Sequence, residues 1–347
     1  MAKAYELEII GDSGWDQRGT RTFPVYFSEP EISCEKPPGI LLLIAGYGAD
    51  ATAKVYQKMR NQFADMYNLF VVQCNYLGWE FMQDCWSKEE LEQIRAQSGV
   101  IHSEVRLEEN EYNYNEMGPF QALDNILAVK SLMDILQANG MTFDATRVGI
   151  YGHSHGAYLA HLCNCFYPEL FTDILDNSAW VFPVYLNEQR TLFFQRKQDK
   201  IIRSFAYRIV DALEDKAVYR LDKLYAQFQN RAFLLCFHGE TDELIRYEEK
   251  REALRDVAEM SLELITRDKV DGEIFKSSTH GLGADFLKMF HYAVQKHQLL
   301  AGGRIQGGSL RGNCFVTEWY SYESQLMEDI PMLVRTRRES GNPYEPE

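Results

Sequence analysis

Nothing in this sequence is built to enter a membrane. The N-terminal MAKAYELEIIGDSG lacks the apolar core of a secretory signal, and the longest apolar run, Ile40–Ala45, falls far short of the ~18 residues of a spanning helix. Basic residues are scarce: 36 Lys and Arg face 51 Asp and Glu, a formal net charge of −15. With the acidic residues spread along the chain, this balance argues against nucleic acid or an anionic membrane as a partner. The one compact basic cluster, Arg335-Thr336-Arg337-Arg338, reads as a solvated tail. Seven cysteines, an odd number at irregular spacing, make no disulfide framework and fit reduced thiols of a cytoplasmic protein. Cys163 and Cys165 lie two apart on an expected helix and point to different faces, so no metal site is expected there, and the chemistry read below needs no cofactor. There is no internal repeat and no low-complexity segment.

What is present fits a soluble α/β protein. At 347 residues, with 46% hydrophobic and 25% charged, the chain can bury a large core, as two domains or as one α/β domain with insertions. Alternation over 5–10 and 21–29 predicts an N-terminal β-ribbon (1–37) joined through Gly11-Asp12-Ser13-Gly14. A buried strand at 40–45, a helix near 51–67 and a strand at 69–74 follow and imply a parallel crossover. The core runs over 38–299 and is interrupted at about 77–116 and 179–225, insertions placed as a lid or cap, with helical patches expected around 199–213. An amphipathic helix is expected at 119–139, ending at Asn139-Gly140, and another helix near 245–260. A last core helix is expected at 284–299. In the extension 300–347, Cys314–Tyr322 reads as one strand, free to pair with the N-terminal ribbon or a second subunit, before a polar end that frays after about Arg338. This alternation predicts a mostly parallel, doubly wound sheet with helices on both faces and function at the C-terminal strand edges.

The most informative stretch is TRVGIYGHSHGAY at 146–158, an apolar strand running into Gly152-His153-Ser154-His155-Gly156 and then a helix. A serine hydroxyl is a poor nucleophile unless a sharp turn presents it beside a base and oxyanion donors, and the two glycines permit such a turn. A base and an orienting acid should therefore follow, in the order Ser, Asp or Glu, His. Phe237-His238-Gly239-Glu240-Thr241-Asp242 leaves an apolar strand and nominates Asp242 as the acid, with Glu240 as the alternative. Ser277-Ser278-Thr279-His280-Gly281 lies before the last helix and nominates His280 as the base. His291 and His297 fall within that helix and read as packed or surface residues. Oxyanion donors are expected from the backbone N–H of His155 and from Ala45-Gly46-Tyr47-Gly48-Ala49, with Tyr47 foremost and Gly46 and Gly48 as alternatives. Asn75, Asn177, Ser178 and Trp180 leave strand ends at the same edge and are candidate substrate contacts, with Gly46 and Gly48.

GYGAD, GHSHGAY, HGETD and STHG fall in the order of the α/β-hydrolase fold, which the chain resembles over roughly 38–299. GYGAD, QALDNI at 121–126, GHSHGAYLAHLCN and DNSAWVFPVYL further resemble a little-characterised bacterial family of predicted hydrolases, some encoded near flagellin or surface-sugar modification genes. The resemblance implies an esterase or deacylase acting on a small acylated molecule such as an acylated sugar, without cofactor or metal. A peptidase or acyltransferase with the same triad, and a non-catalytic binding protein on a hydrolase shell, are the alternatives, and a homo-oligomer is open.

Overall fold

The computed structural model describes residues 1–12, 20–31 and 35–338. The Ser13-Gly14 half of the expected N-terminal turn and the stretch beyond Arg338 expected to fray lie outside them. In chain order the first elements are β1 (Lys3–Asp12), β2 (Thr20–Glu29), β3 (Gly39–Ile44), α1 (Lys54–Tyr67), β4 (Leu69–Cys74), α2 (Lys88–Arg95) and β5 (Val100–Arg106). Next come α3 (Pro119–Ala138), β6 (Val148–His153), α4 (His155–Phe166), β7 (Asp173–Asn177), β8 (Arg190–Arg196), β9 (Asp199–Ala206), α5 (Arg208–Ala212) and α6 (Leu221–Tyr225). The chain continues with β10 (Phe233–Gly239), α7 (Tyr247–Ala253), β11 (Met260–Ile265), α8 (Phe286–His297), β12 (Cys314–Val316), β13 (Tyr320–Met327) and β14 (Ile330–Arg337).

The main sheet has eight strands in the order β1-β2-β4-β3-β6-β7-β10-β11. β1 and β2 are antiparallel, β2 meets β4 antiparallel, and all later pairings are parallel. β3, β4, β6 and β7 are buried almost throughout, which explains why β3 and β4 read as apolar runs instead of alternating, while β7 buries Asp173, Asp176 and Asn177 as well. One face packs α1 and α8, where Phe63, Tyr151 and Phe290 stack with ring centroids 4.2–6.3 Å apart. The other face packs α3 and α4.

Helix α3 departs from expectation. It is not amphipathic: every residue from Pro119 to Lys130 is buried. The sheet covers one side, while β14 of the C-terminal segment and β1 lie along others. Its polar groups are satisfied inside: Asp124 pairs with Arg21 and accepts from Leu77 N at 2.7 Å, and Asn125 Nδ2 donates to Gln121 O at 2.8 Å.

Four further readings are corrected. The stretch expected to be helical around 199–213 begins as strand β9, in which the buried Ile201, Arg203 and Phe205 alternate with half-buried Ile202 and Ser204, and only the short α5 follows. β9 pairs in parallel with β5 and antiparallel with β8, so residues from both interruptions build one three-stranded sheet. Helix α7 spans only seven of the residues expected near 245–260. Cys314–Tyr322 is not one strand: Thr317 Oγ1 accepts from Tyr320 N at 3.1 Å in the turn between β12 and β13, and β13 pairs with β12 on one edge and β14 on the other in a separate sheet. The basic cluster is correspondingly no loose tail, since Arg335 and Arg337 lie in β14 and Arg335 pairs with Glu214 at 3.2 Å.

Phe315 of β12 is 1% exposed and meets Phe166 of α4 at 6.0 Å and Phe228 at 6.2 Å. Phe315→Ala is expected to lower the unfolding free energy by about 3–5 kcal/mol, read from the urea midpoint. An unchanged midpoint would show that the C-terminal sheet adds nothing to the core.

Candidate active site

The turn between β6 and α4 exists because two glycines remove side chains from a backbone crossing. A Cβ on Gly156 would lie 2.3 Å from Ile44 O, and one on Gly152 would lie 2.4 Å from Ala157 Cα. Ser154 sits between them at φ 53°, ψ −119°, a conformation that costs a non-glycine residue on the order of 1–3 kcal/mol. Its N–H donates to Asn177 O at 2.8 Å, and its carbonyl accepts from Ala157 N and Tyr158 N, so neighbouring backbone holds the strained residue in place.

The other two nominated residues arrive from separate strands. A Cβ on Gly239, at the end of β10, would lie 2.2 Å from Ser278 O, so the His280 loop rests directly on that strand end. Thr241 N donates to Ser278 O at 2.8 Å and fixes the two loops together. His280 Nδ1 then lies 2.8 Å from Asp242 Oδ2, and His280 Nε2 lies 2.7 Å from Ser154 Oγ. Asp242 is buried, which by itself raises a carboxyl pKa, but the hydrogen bond and charge of His280 outweigh burial and hold it below its usual range. An ionised Asp242 only accepts, so Nδ1 of His280 is the protonated nitrogen of this pair, and in the neutral imidazole Nε2 is the one left to accept from the serine hydroxyl. Asp242 Oδ1 accepts from Leu244 N and Ile245 N, so the acid also shapes its own loop. Glu240 turns elsewhere and accepts from Arg267 N.

Of the amides nominated as oxyanion donors, Gly46 N–H is engaged by Tyr56 Oη at 3.4 Å. Those of Tyr47, Gly48 and His155 meet no acceptor among the described residues. His153 packs between this loop and the base: a Cβ on Gly46 would lie 2.9 Å from its Cδ2, and one on Gly281 would lie 2.8 Å from its Cε1.

The candidate substrate contacts separate into two kinds. Asn75 spends both ends on the loop, accepting from Ala51 N at 2.9 Å and donating to Asp50 at 3.2 Å. Asn177 donates to Gly281 O and accepts from Ser178 Oγ, which in turn accepts from Gly281 N, so both brace the His280 loop. Trp180 is different. Its ring lies 4.9 Å from His155 and 5.7 Å from Tyr47, and its buried indole N–H has no acceptor among the described residues.

Sequence reasoning missed the surroundings of Tyr47. Its ring meets Tyr185 at 5.0 Å, Tyr207 at 6.4 Å and the Arg190 guanidinium at 4.9 Å, all from residues 179–225. A cleft of about 970 Å³ runs from Tyr185 and Phe182 along α7 to Leu244 and Ile245, beside the Asp242 loop. No local motif marks such residues, because only the fold brings them to Tyr47.

One buried group could be mistaken for a metal centre. His161, Asp176 and Cys236 place ligand atoms within 4.8 Å of one another. The Lys250 ammonium, however, lies 2.5 Å from Asp176 Oδ2, and His161 Nε2 lies 2.9 Å from the same oxygen. Burial would raise the Asp176 pKa, but Lys250 and His161 hold it far below the usual carboxylate range, so the cluster carries its own counter-charge.

The matching family model covers residues 82–188 and is described as a protein of unknown function, DUF2920. No curated protein matches the chain. Among solved structures, acylaminoacyl peptidase from Pyrococcus horikoshii superposes with a TM-score of 0.52 at 13% identity. That match covers 88% of this chain but 43% of the peptidase, so the chain spans less than half of that protein. Est1E from Butyrivibrio proteoclasticus, with bound ferulic acid, gives 0.47 at 16% identity over 80% of this chain and 94% of its own. Acetyl xylan esterase 1 from Thermoanaerobacterium sp. JW/SL YS485 gives 0.48 at 13%, over 86% and 83%. Together with the mostly parallel eight-stranded sheet, the likeness shows the α/β-hydrolase fold.

The buried histidines make a pH prediction. Burial, and for His153 also the charge of His280, lowers the pKa of His153 to about 4, and burial lowers that of His155 to about 3, from 6.5. Below pH 6.5 the unfolded chain binds protons that the folded chain refuses, so their stabilisation is complete above pH 6.5 and is lost as the pH falls. By pH 4 each removes about 3 kcal/mol. Glu116 works oppositely: burial raises it to about 7, so its contribution falls as the pH rises from 4.5 to 7. The clean measurement is a difference. His153→Asn should flatten urea-derived stability between pH 6.5 and 4 relative to wild type, and parallel curves would refute the buried neutral imidazole.

Proposed function

We propose that this chain is a serine hydrolase, an esterase or deacylase that removes an acyl group from a small molecule through an acyl-serine intermediate. The observation that carries the reading is the unbroken line Asp242 Oδ2, His280 Nδ1, His280 Nε2 and Ser154 Oγ at 2.8 and 2.7 Å, ending on a serine that neighbouring backbone holds in a strained turn.

In this reading Ser154 Oγ attacks the substrate carbonyl carbon while its proton passes to His280 Nε2. The charge that His280 acquires is balanced by Asp242. The carbonyl oxygen becomes an oxyanion facing the N–H groups of Tyr47 and His155, donors worth about 3 kcal/mol each when preorganised. Collapse breaks the bond to the leaving group, which departs with the proton from His280. Water then gives a proton to His280, attacks the acyl carbon and releases the acid, and Ser154 regains its proton. The chemistry needs no cofactor.

An acylated sugar or similar hydroxyl-rich molecule is the substrate class we propose. The cleft beside the Asp242 loop, about 970 Å³, sets the aromatic faces of Phe182 and Tyr185 beside Asn187, Gln189 and the carboxylates of Glu188, Asp222, Glu243, Glu248, Glu249 and Glu252, a lining that suits a hydroxyl-rich ligand better than an anionic one; Ser154 and His280 do not line it.

Fluorophosphonate should label the wild type and leave Ser154→Ala unmodified. On a panel of acyl esters and acetylated sugars, His280→Ala should lower kcat by about 10⁴-fold or more and Asp242→Asn by about 10⁴-fold. A folded wild type that neither reacts with the probe nor turns over any ester would overturn the proposal in favour of a binding protein on a hydrolase shell.

A further inference from the structure

Two residues far apart in sequence, Tyr47 and His155, carry the amides assigned above to the oxyanion. Their side chains are joined through two fully buried carboxamides, those of Gln121 on α3 and Asn115 just before it. His155 Nε2 lies 2.7 Å from Gln121 Oε1, Gln121 Nε2 donates to Asn115 Oδ1 at 3.0 Å, and Asn115 Nδ2 donates to the Tyr47 hydroxyl at 2.7 Å.

The direction of every bond is forced. Gln121 Nε2 also donates to the Leu77 carbonyl at 2.8 Å, and a carbonyl can only accept. That contact orients the Gln121 amide and leaves Oε1 facing His155, which must therefore be protonated on Nε2. The same logic orients Asn115, because its Oδ1 receives from Gln121 and its amide nitrogen must give to Tyr47. The Tyr47 hydroxyl is then free to donate onward to Tyr207. Burial keeps the His155 imidazole neutral, as a bond to an amide oxygen allows. A buried carboxamide with both ends bonded has little freedom to rotate, so the four side chains behave as one rigid strut between the elbow and the β3 loop.

We propose that Gln121 and Asn115 are positioning residues, which set the spacing and orientation of the Tyr47 and His155 amides through this strut without touching the substrate. The inference rests on the serine-hydrolase reading and deepens it. If the strut acts this way, its loss weakens transition-state binding more than substrate binding, since the oxyanion exists only after attack.

The test uses the full chain, p-nitrophenyl acetate as substrate, and Gln121→Met, Tyr47→Phe and the double variant. Gln121→Met keeps the side-chain length but removes all three side-chain hydrogen bonds, to His155, Asn115 and Leu77 O, whereas Tyr47→Phe removes only the far terminus and keeps the ring. Each single variant should lose roughly 10- to 100-fold in kcat with KM changed less than about 3-fold. The double variant should be no worse than the poorer single, because either change already breaks the strut. The Nε2–H proton resonance of His155 should also shift in Gln121→Met. A folded Gln121→Met with wild-type kcat, or losses that multiply in the double variant, would overturn the inference while leaving the serine-hydrolase reading intact. A folded wild type that is inert to both the ester and fluorophosphonate would instead remove that reading, and this inference with it. Should Gln121→Met fail to fold, Tyr47→Phe and Asn115→Ala decide by the same split: a kcat loss at steady KM supports the strut, and wild-type kcat in both overturns it.

Discussion

Helix α4 begins against the carbonyls of Ile44 and Ala45 with no room for a side chain between them. Much of the site follows from that contact. Because the helix start is pressed onto the end of β3, the connection from β6 must reverse within one residue, and Ser154 is driven to positive φ. Because β3 ends there, the loop carrying Tyr47 starts beside the turn. His153, the last residue of β6, then fills the space between Gly46 and Gly281 and carries the same constraint to the loop of His280. Three loops from distant parts of the chain are thus spaced by one imidazole and four missing Cβ atoms, at Gly46, Gly152, Gly156 and Gly281.

The sheet β5-β9-β8 is held by different means. Its apolar cluster is small, with Ile94, Ile101 and Ile201 at the centre. Two arginines compensate. Arg203 is 1% exposed, stacks on Trp86 at 4.1 Å and reaches Glu90 and the Asp84 and Cys85 carbonyls. Arg190 lies over the rings of Tyr47 and Phe205 while donating to Met82 O and Tyr207 Oη. Planar guanidinium groups suit this task, since one face can stack while the edge donates in several directions. Through Arg190 and Tyr207, a sheet with little core of its own is fastened to the loop beside the nucleophile.

How much of this could be read in advance depended on whether the cause was local. Ser154, Asp242 and His280 sit where strand and glycine punctuation announce a loop at a sheet edge, and the fold brings them within hydrogen-bond reach of one another. The sheet strands were legible because burial on both faces writes a continuous apolar run. Strand β9 was missed because its alternation is carried partly by Arg203, a buried charge that reads as solvent-facing in sequence. The full burial of α3 was missed because its polar positions, Gln121, Asp124 and Asn125, suggest a wet face that is instead bonded to Leu77, Arg21 and neighbouring backbone. The β13–β14 turn was hidden for another reason: Glu328 and Asp329 adopt positive φ without glycine, so nothing punctuates that hairpin.

The packing of β14 along α3 also bears on how the chain is made. Synthesis on the ribosome proceeds from the N-terminus, and α3 emerges some two hundred residues before the strand that closes over it. For that interval the side of α3 that β14 later covers lacks its partner. An apolar helix left half-bare during translation is an invitation to chaperones, and to aggregation when they are scarce. Full burial of α3 therefore waits on β14, the last strand among the described residues to leave the ribosome.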